Sequence, residues 1–210
     1  DVRLKVIVHV GSKGFQKVGH ICFAYDDVVY SYGNYDSDSF HLNQTIGDGI
    51  YFTVPLVKYI PNMISTENNS IFEYGIYTTP KQNEEIEKEI NKIRQNGYRW
   101  YTKIEKEDGY DCFKEYEMDY PSRLHYRTGA KLYKVKSGKF HIYWALGDNC
   151  ASFTDLVLGT LGADVLSMRG IISPGTYLDW LQKEYLKKNS PIVFRRIYTK
   201  DTVENNLSVE

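Results

Sequence analysis

The chain has 210 residues, of which 42% are hydrophobic and 25% are charged, and its formal net charge at pH 7 is −1. A chain of this length can bury a sizeable core, and its balanced charge argues against a nucleic-acid-binding surface. No apolar run approaches the roughly 20 residues that a membrane span needs, and no signal peptide is recognisable. Because the chain begins at Asp1 rather than methionine, we expect a mature product or a piece cut from a longer protein.

Three cysteines, Cys22, Cys112 and Cys150, are present, and no two of them form a CxxC pair. An odd count without such a pair argues against a disulfide framework and against a cysteine zinc site. The five histidines show no HExxH or other metal-ligand spacing. We therefore expect neither a metal nor a cofactor.

The first third of the sequence predicts a sheet. Alternating, β-branched stretches predict strands over residues 3–10, 18–25, 28–32 and 50–57. Asp26 and Asp27 predict a tight turn that joins the second and third of these strands into a hairpin. The rest of 33–69 is rich in glycine, asparagine, aspartate and serine, so we expect a long loop there, of the kind that often borders a site.

The remainder of the chain predicts both strands and helices. A capping box with proline at the first helical position, from Thr79 to Gln82, begins a helix that ends near residue 96, and Ser173-Pro174 begins another. Strands are predicted over 71–78, 131–135, 139–145 and 191–198, the middle two paired as a hairpin. We interpret residues 1–210 as a single domain with an irregular insertion around 98–130 and a polar tail at 200–210.

A candidate nucleophile lies at the start of a predicted helix. After Cys150, hydrophobic residues recur at helical spacing from Phe153 to Leu161, and Asn149 is a favourable N-cap residue. The unpaired N–H groups and the dipole at a helix start favour the thiolate, which is the form that attacks an acyl carbon. The alternative is that Cys150 is a small hydrophobic core residue, the commoner role of an isolated cysteine.

His20, in an apolar strand, is the candidate general base for that thiol. A cysteine–histidine site also needs a third group that orients the imidazole. With a two-residue turn, His20 and Ser31 are diagonal neighbours on one face of the hairpin, and Ser31 can accept the imidazole N–H. One more residue in the turn would put Tyr32 there instead. The alternatives are a half-buried His20 bonded to a backbone carbonyl and a Ser31 that is only a small strand residue.

The segments that carry these residues resemble a known family. Gly19-His20 lies on an early strand that is followed by Val29-Tyr30-Ser31-Tyr32-Gly33. Much later come Asn149-Cys150-Ala151-Ser152-Phe153 at a helix start and Ser173-Pro174 before a Tyr-Leu-Asp-Trp-Leu helix. Histidine before cysteine in this setting resembles the circularly permuted NlpC/P60 branch of the papain-like enzymes, especially the toxin or effector domains of bacteria. The resemblance covers about 18–36 and 145–182.

The resemblance implies a papain-like α+β fold, in which an antiparallel sheet packs against the helix that starts at Cys150. It implies a thiol hydrolase with Cys150 as nucleophile, His20 as general base and then acid, and backbone N–H groups of the helix start as the oxyanion hole. Asn149 would be the helix cap or an additional donor. Many relatives have His, Glu, Asp, Asn or Gln as the third catalytic residue, where this chain offers Ser31 or Tyr32.

The resemblance also implies a substrate and a setting. The expected substrate is an amide bond in peptidoglycan stem peptides, and the expected partner is a cognate immunity or inhibitor protein. The protein would be secreted or delivered into the periplasm of a target cell, or cytoplasmic if its parent is not exported. One alternative is a lipid acyl hydrolase or acyltransferase with the same Cys150–His20 site. Another is a non-catalytic carbohydrate-binding module, suggested by 19 tyrosines, although tyrosine also suits sheet packing.

Overall fold

Helices pack on both faces of one large antiparallel sheet. The computed structural model describes residues 2–10, 19–107, 112–161 and 173–201. The strands within these ranges are β1 (Leu4–Val10), β2 (His20–Tyr25), β3 (Val28–Gly33), β4 (Ile46–Asp48), β5 (Ile50–Pro55), β6 (Ser70–Ile76), β7 (Gly97–Trp100), β8 (Lys131–Val135), β9 (Ile142–Trp144) and β10 (Ile192–Tyr198). The α-helices are α1 (Leu56–Ser65), α2 (Pro80–Gln95), α3 (Lys103–Lys106), α4 (Tyr120–Thr128), α5 (Cys150–Leu158) and α6 (Pro174–Tyr185). The predicted α+β class is confirmed.

Eight of these strands form the main sheet, in the order β10-β6-β1-β2-β3-β5-β8-β7. Every described pair in it is antiparallel. β4 and β9 pair separately as a two-stranded antiparallel ribbon. The hairpin of β2 and β3 therefore lies at the centre of the main sheet, and β10 and β7 are its edges.

The hairpin of β2 and β3 has the register that the two-residue turn predicts. Tyr25 faces Val28, and Asp26 and Asp27 occupy the turn with φ of 49° and 59°. Both aspartates are thus left-handed, as the mirror-image turns of tight hairpins require, and aspartate tolerates this region better than most residues. The predicted turn and register are confirmed.

β2 and β3 separate at the end of the hairpin that lies far from the turn. The described pairing between them stops at Phe23 and Tyr30. The pairing of β2 with β1 continues further, to His20, which faces His9. At the end where His20 lies, β2 is therefore paired with β1 but not with β3.

The two faces of the sheet pack against different helices. On the first, here called the α5 face, Ile21 of β2 lies in one core cluster with Phe153 of α5, and α2 and α6 contribute to the same cluster. On the second, here called the α1 face, Cys22 lies in a separate cluster with Tyr59 of α1. Because side chains alternate along a strand, His20 belongs to the α1 face.

Tyrosine supplies much of this core. The largest fully buried side chains include Tyr30, Tyr32, Tyr51, Tyr59, Tyr74 and Tyr177. Tyr32 and Tyr51 stack on Phe153, with ring centroids 5.0 Å and 6.1 Å apart. These buried rings account for a substantial part of the tyrosine content through packing rather than through a sugar-binding surface.

The segment 33–69, predicted as loop apart from one strand, also contains helix α1. The strand stops at Pro55, and α1 follows at once. Its buried residues include Tyr59 and Met63, but Pro61 lies inside the helix. Proline removes one helical hydrogen bond and normally marks a break, so it conceals the helical spacing around it. The loop prediction is wrong for these residues.

The predicted hairpin over 131–145 is also wrong in its pairing. β8 and β9 both form, but β8 pairs with β5 and β7, whereas β9 pairs with β4. Gly138 and Phe140 have φ of 73° and 68° and redirect the chain between the two strands. Alternation along a strand predicts the strand itself but not its partner.

Most of the predicted irregular insertion at 98–130 is regular. It contains most of the edge strand β7 together with α3 and α4. An edge strand keeps polar side chains, and the residues of β7, Gly97-Tyr98-Arg99-Trp100, are all at least partly exposed, so no apolar pattern marks it. Residues 108–111, the start of the predicted strand 18–25 at residue 18, and the tail from 202 lie outside the described residues.

Candidate active site

Helix α5 begins at Cys150 and is capped by Asn149. The Asn149 Oδ1 accepts hydrogen bonds from the N–H groups of Ala151 at 2.9 Å and Ser152 at 3.0 Å. In return, the Ser152 Oγ accepts a hydrogen bond from the Asn149 N–H at 2.9 Å. This capping box satisfies orphan donors of the first turn and fixes its geometry. Of the two roles considered for Asn149, the structure has the cap.

The Cys150 thiol is nearly enclosed at this helix start, with the residue 5% exposed. Burial raises the pKa of the Cys150 thiol to about 11, although hydrogen bonds from the backbone N–H groups of Ile21, Ala151 and Cys150 itself lower it. The helix start thus supplies the donors that the sequence predicts, but desolvation outweighs them. The prediction of a favoured thiolate is wrong for the resting site, because at neutral pH the sulfur keeps its proton.

His20 begins β2 at the end where this strand leaves β3. Its Nε2 lies 2.6 Å from the Ser31 Oγ, so the hydrogen bond that the hairpin register predicts is confirmed. Burial lowers the pKa of His20 to about 4, and the imidazole is therefore neutral at neutral pH. With Nε2 held by Ser31, Nδ1 is the ring nitrogen left to exchange a proton with a reactant.

Ser31 is fully buried and links His20 to a tyrosine. Its Oγ lies 3.1 Å from the Tyr35 hydroxyl oxygen. Burial raises the pKa of Tyr35 well above its usual range, so the phenol keeps its proton and remains a hydrogen-bond donor. A Cβ added at Gly33 would lie 2.9 Å from the Tyr35 ring, so the glycine allows this ring to approach.

Tyr32 and Cys22 have other partners. The Tyr32 hydroxyl donates to the Phe140 carbonyl at 3.0 Å on the α5 face, so Tyr32 does not orient His20. Cys22 shares the α1 face with His20, and its sulfur lies 3.6 Å from the Tyr59 hydroxyl oxygen. Burial raises the pKa of Cys22 to about 12, which keeps this residue a protonated part of the wall.

A second histidine joins the polar cluster on the α1 face. His9 faces His20 across β1 and β2, and the two rings meet edge to face with centroids 5.3 Å apart. The His9 Nε2 lies 2.8 Å from the Tyr59 hydroxyl oxygen. Burial, with the neighbouring His20 as a second cause, lowers the pKa of His9 well below its usual range. The hairpin pattern carries no signal for Tyr35 or Tyr59, because one follows the strand and the other lies on α1.

Cys150 and His20 come together at one peptide group of β2. The Cys150 sulfur accepts a hydrogen bond from the Ile21 N–H, which belongs to the peptide bond between His20 and Ile21. Cys150 belongs to the core cluster of the α5 face, whereas the His20 ring is hydrogen-bonded to Ser31 on the α1 face, and β2 and β3 have separated at this end of the hairpin. Among the described residues no hydrogen bond joins the sulfur to the imidazole; such contacts commonly tighten only when substrate binds.

Apolar side chains are exposed just before α5. Ile142 and Trp144 of β9 are 44% and 48% exposed, and Leu146 is 69% exposed. The Gly147 N–H donates to the Trp144 carbonyl at 2.9 Å, closing the turn that leads to Cys150. A Cβ at Gly147 would lie 2.4 Å from the Trp144 ring, so only glycine fits beneath it. The segment that leads to Cys150 therefore exposes an apolar surface.

Neither family models, nor curated proteins, nor solved structures give a match to this chain. In the part of the chain that the structure describes, no group of three or more His, Cys, Asp or Glu residues is arranged to hold a metal ion. No described helix is both long and apolar enough to cross a membrane.

Proposed function

We propose that the protein is a cysteine hydrolase of the permuted NlpC/P60, papain-like type, with Cys150 as nucleophile and His20 as general base. The observation that carries this proposal is the convergence, at one peptide group of β2, of a helix-start thiol and an imidazole held by Ser31. The order of these residues along the chain supports it, as does the packing of α5 against an antiparallel sheet.

In the proposed acylation step, His20 takes the thiol proton at Nδ1 while the Cys150 sulfur attacks the substrate carbonyl carbon. The protonated imidazole then gives this proton to the leaving group, and the carbonyl is held as a thioester on Cys150. A water molecule that gives its proton to His20 attacks the thioester, which releases the carboxylic acid and restores the thiol. Ser31 positions the imidazole through Nε2 and does not touch the reacting atoms.

The backbone N–H of Cys150 is the proposed oxyanion donor. The Asn149 side chain already occupies the N–H groups of Ala151 and Ser152. The N–H of Cys150 lies outside this cap and already hydrogen-bonds to the sulfur that becomes the attacking atom. A donor in this position stabilises the charge that develops on the carbonyl oxygen of a tetrahedral intermediate.

The resting pair is a neutral thiol and a neutral imidazole. Burial raises the pKa of Cys150 to about 11 and lowers that of His20 to about 4. Proton transfer therefore accompanies attack instead of preceding it, and a buried ion pair does not have to be maintained between turnovers.

The leading proposed substrate is an amide bond in peptidoglycan stem peptides, cleaved by a bacterial toxin or effector domain. The resemblance of the two sequence segments supports this substrate. A cognate inhibitor protein that covers the site belongs to the same proposal, as does action in the periplasm of a target cell.

A second candidate substrate is a lipid acyl ester, attacked by the same Cys150 and His20. The exposed side chains of Ile142, Trp144 and Leu146 favour it, because they place an apolar surface immediately before the nucleophile. An exposed apolar surface suits an acyl chain better than a charged peptide.

The test incubates the purified protein with muropeptides and with phospholipid vesicles side by side and follows new amines and free fatty acids. We expect muropeptide cleavage that falls at least about 10⁴-fold in Cys150→Ala. Cys22→Ala is the matched thiol control and should retain turnover, since Cys22 is hydrogen-bonded to Tyr59 and Ser31 and is not part of the proposed reacting pair. Undiminished turnover in Cys150→Ala rejects the nucleophile, and cleavage of phospholipid alone selects the second candidate.

A further inference from the structure

A groove of about 700 Å³ lies on the α1 face, at the end of the sheet away from Cys150. It reaches Asp27 in the turn of the hairpin, whereas His20 begins the opposite end of β2. Its floor is formed by β1, β6 and β10, and one wall is the start of α1. That wall is apolar and consists of Pro55, Leu56, Val57, Ile60 and Pro61.

Three of the charged groups on the floor have close partners. The Lys5 ammonium binds the Asp27 carboxylate. The Glu73 side chain is 1% exposed and accepts a hydrogen bond from the Tyr198 hydroxyl at 2.8 Å. The Asp27 carboxylate is thus paired with an ammonium, and the Glu73 carboxylate has a phenol donor together with Arg196 as its cation.

Arg196 is the charged group that the floor presents to solvent. Its side chain is 59% exposed, although it forms an ion pair with the Glu73 carboxylate at 3.8 Å and a hydrogen bond with the Tyr198 hydroxyl. The guanidinium lies 4.3 Å above the centroid of the Phe194 ring. That ring lies directly on Gly75, where an added Cβ would be 2.1 Å from it. Phe194 therefore holds the guanidinium in place without using its N–H donors.

We propose that this groove binds a medium-chain aliphatic carboxylate, with its carboxylate on Arg196 and its chain along α1. A guanidinium fork matches a carboxylate in geometry as well as in charge. The apolar wall suits an alkyl chain, and Val57 on it is 79% exposed. A second cavity of about 640 Å³ shares Lys5, Asp27 and Arg196 with the groove, so the end of the groove at Arg196 has room for the head group and its water.

Binding of decanoate, at concentrations where it is monomeric, is measured by titration calorimetry on the full chain. We expect Arg196→Gln to weaken decanoate binding at least about tenfold, since it removes a charge-assisted hydrogen bond. Arg195→Gln is the matched control and should leave the affinity unchanged. Arg195 is the next residue on β10, but its guanidinium lies over Tyr185 of α6 on the other face, 5.1 Å from the ring centroid. Urea unfolding of each variant verifies that the fold is retained.

Three further ligands of simple chemistry distinguish the contribution of the head group to binding from that of the alkyl chain. Decan-1-ol should bind more weakly than decanoate and be insensitive to Arg196→Gln, and acetate should not bind measurably. Decyltrimethylammonium should bind more weakly than decanoate. No decanoate binding, equal binding to both arginine variants, or preference for the cationic amphiphile would each overturn the proposal. Binding unchanged in Cys150→Ala would separate this groove from the catalytic site.

Discussion

The two ends of β1 and β2 carry polar groups in opposite ways. At the Cys150 end, His9 and Ser31 are buried and His20 is partly exposed, and their side chains are joined by hydrogen bonds to neutral partners. At the turn end, Arg3 pairs with Asp26 at 2.6 Å and with Glu87 at 2.9 Å. These side chains are 35%, 51% and 49% exposed, respectively.

The comparison shows how environment decides which groups can do chemistry. At the buried end, desolvation keeps both imidazoles neutral, so their protonation does not change through neutral pH. At the exposed end, direct pairing lowers the pKa of Asp26, and water and salt screen the pair. A buried imidazole that stays neutral is free to accept a proton during a reaction. The exposed ion pairs at the turn end contribute only modestly to the free energy of unfolding.

The largest expected effect on kcat comes from removing His20, the proposed base at the buried end. His20→Gln should lower kcat by about 10²–10⁴-fold, since a positioned general base contributes that much. The measurement is the rate of hydrolysis of whichever substrate the wild-type protein cleaves. Asp27→Asn, in the turn at the opposite end of β2, is the control and should leave kcat unchanged. Equal losses in both variants would mean that the buried end has no special role in turnover.

The next effect is on stability against acid. Because the pKa of His20 in the folded state is about 4 and that of an unfolded histidine is about 6.5, the unfolded chain binds more protons between these values. The free energy of unfolding should therefore fall as pH drops from 6.5 to 4, by up to about 3 kcal/mol for this residue. Urea unfolding at pH 7 and at pH 4.5 measures the fall. His20→Gln should show a smaller fall, and parallel behaviour of the two proteins would contradict the buried, neutral assignment.

A smaller loss of kcat is expected when the His20 imidazole is kept but its hydrogen-bond partner Ser31 is changed. Ser31→Ala removes the hydrogen bond to Nε2, and we expect kcat to fall about tenfold to hundredfold, in line with the cost of an unpaired buried polar group. Ser31→Thr keeps the hydroxyl and should recover part of this loss. A kcat unaffected by Ser31→Ala would show that the serine is only a small strand residue.

The smallest effect is expected at the exposed end. Asp26→Asn breaks the pair with Arg3 and should lower the free energy of unfolding by less than about 1 kcal/mol at low salt. Since screening already weakens this pair, the difference between variant and wild type should shrink further in 1 M NaCl. Thermal unfolding at the two salt concentrations measures it. A difference that grows with salt would contradict the contrast between the two ends.

Much of the candidate site follows from rules that act over a few residues. The aspartate pair sets the hairpin register, and the register sets the contact between His20 and Ser31. In the same way, Asn149 as N-cap places Cys150 at the first position of α5. Both features depend on neighbours in sequence or across one tight turn, which a pattern of residue types can specify.

The features of the site that the sequence does not predict depend on packing between segments that are far apart in the chain. The contacts of Tyr35 and Tyr59 require the fold of β3 and the position of α1, and α1 itself is concealed by Pro61. The protonation state of Cys150 is the clearest case. The local signal, a helix start, favours the thiolate, but the burial that reverses it comes from elements far away in the chain.

The central claim is that the His20 imidazole takes the proton of the Cys150 thiol. The most direct test is the rate of alkylation of Cys150 by iodoacetamide at pH 7, resolved from the other cysteines by peptide mass mapping. We predict that His20→Gln slows this alkylation by at least about tenfold, because the thiol loses its base, whereas His125→Gln on α4 leaves it unchanged. Equal alkylation rates in the wild type and in His20→Gln would contradict the claim.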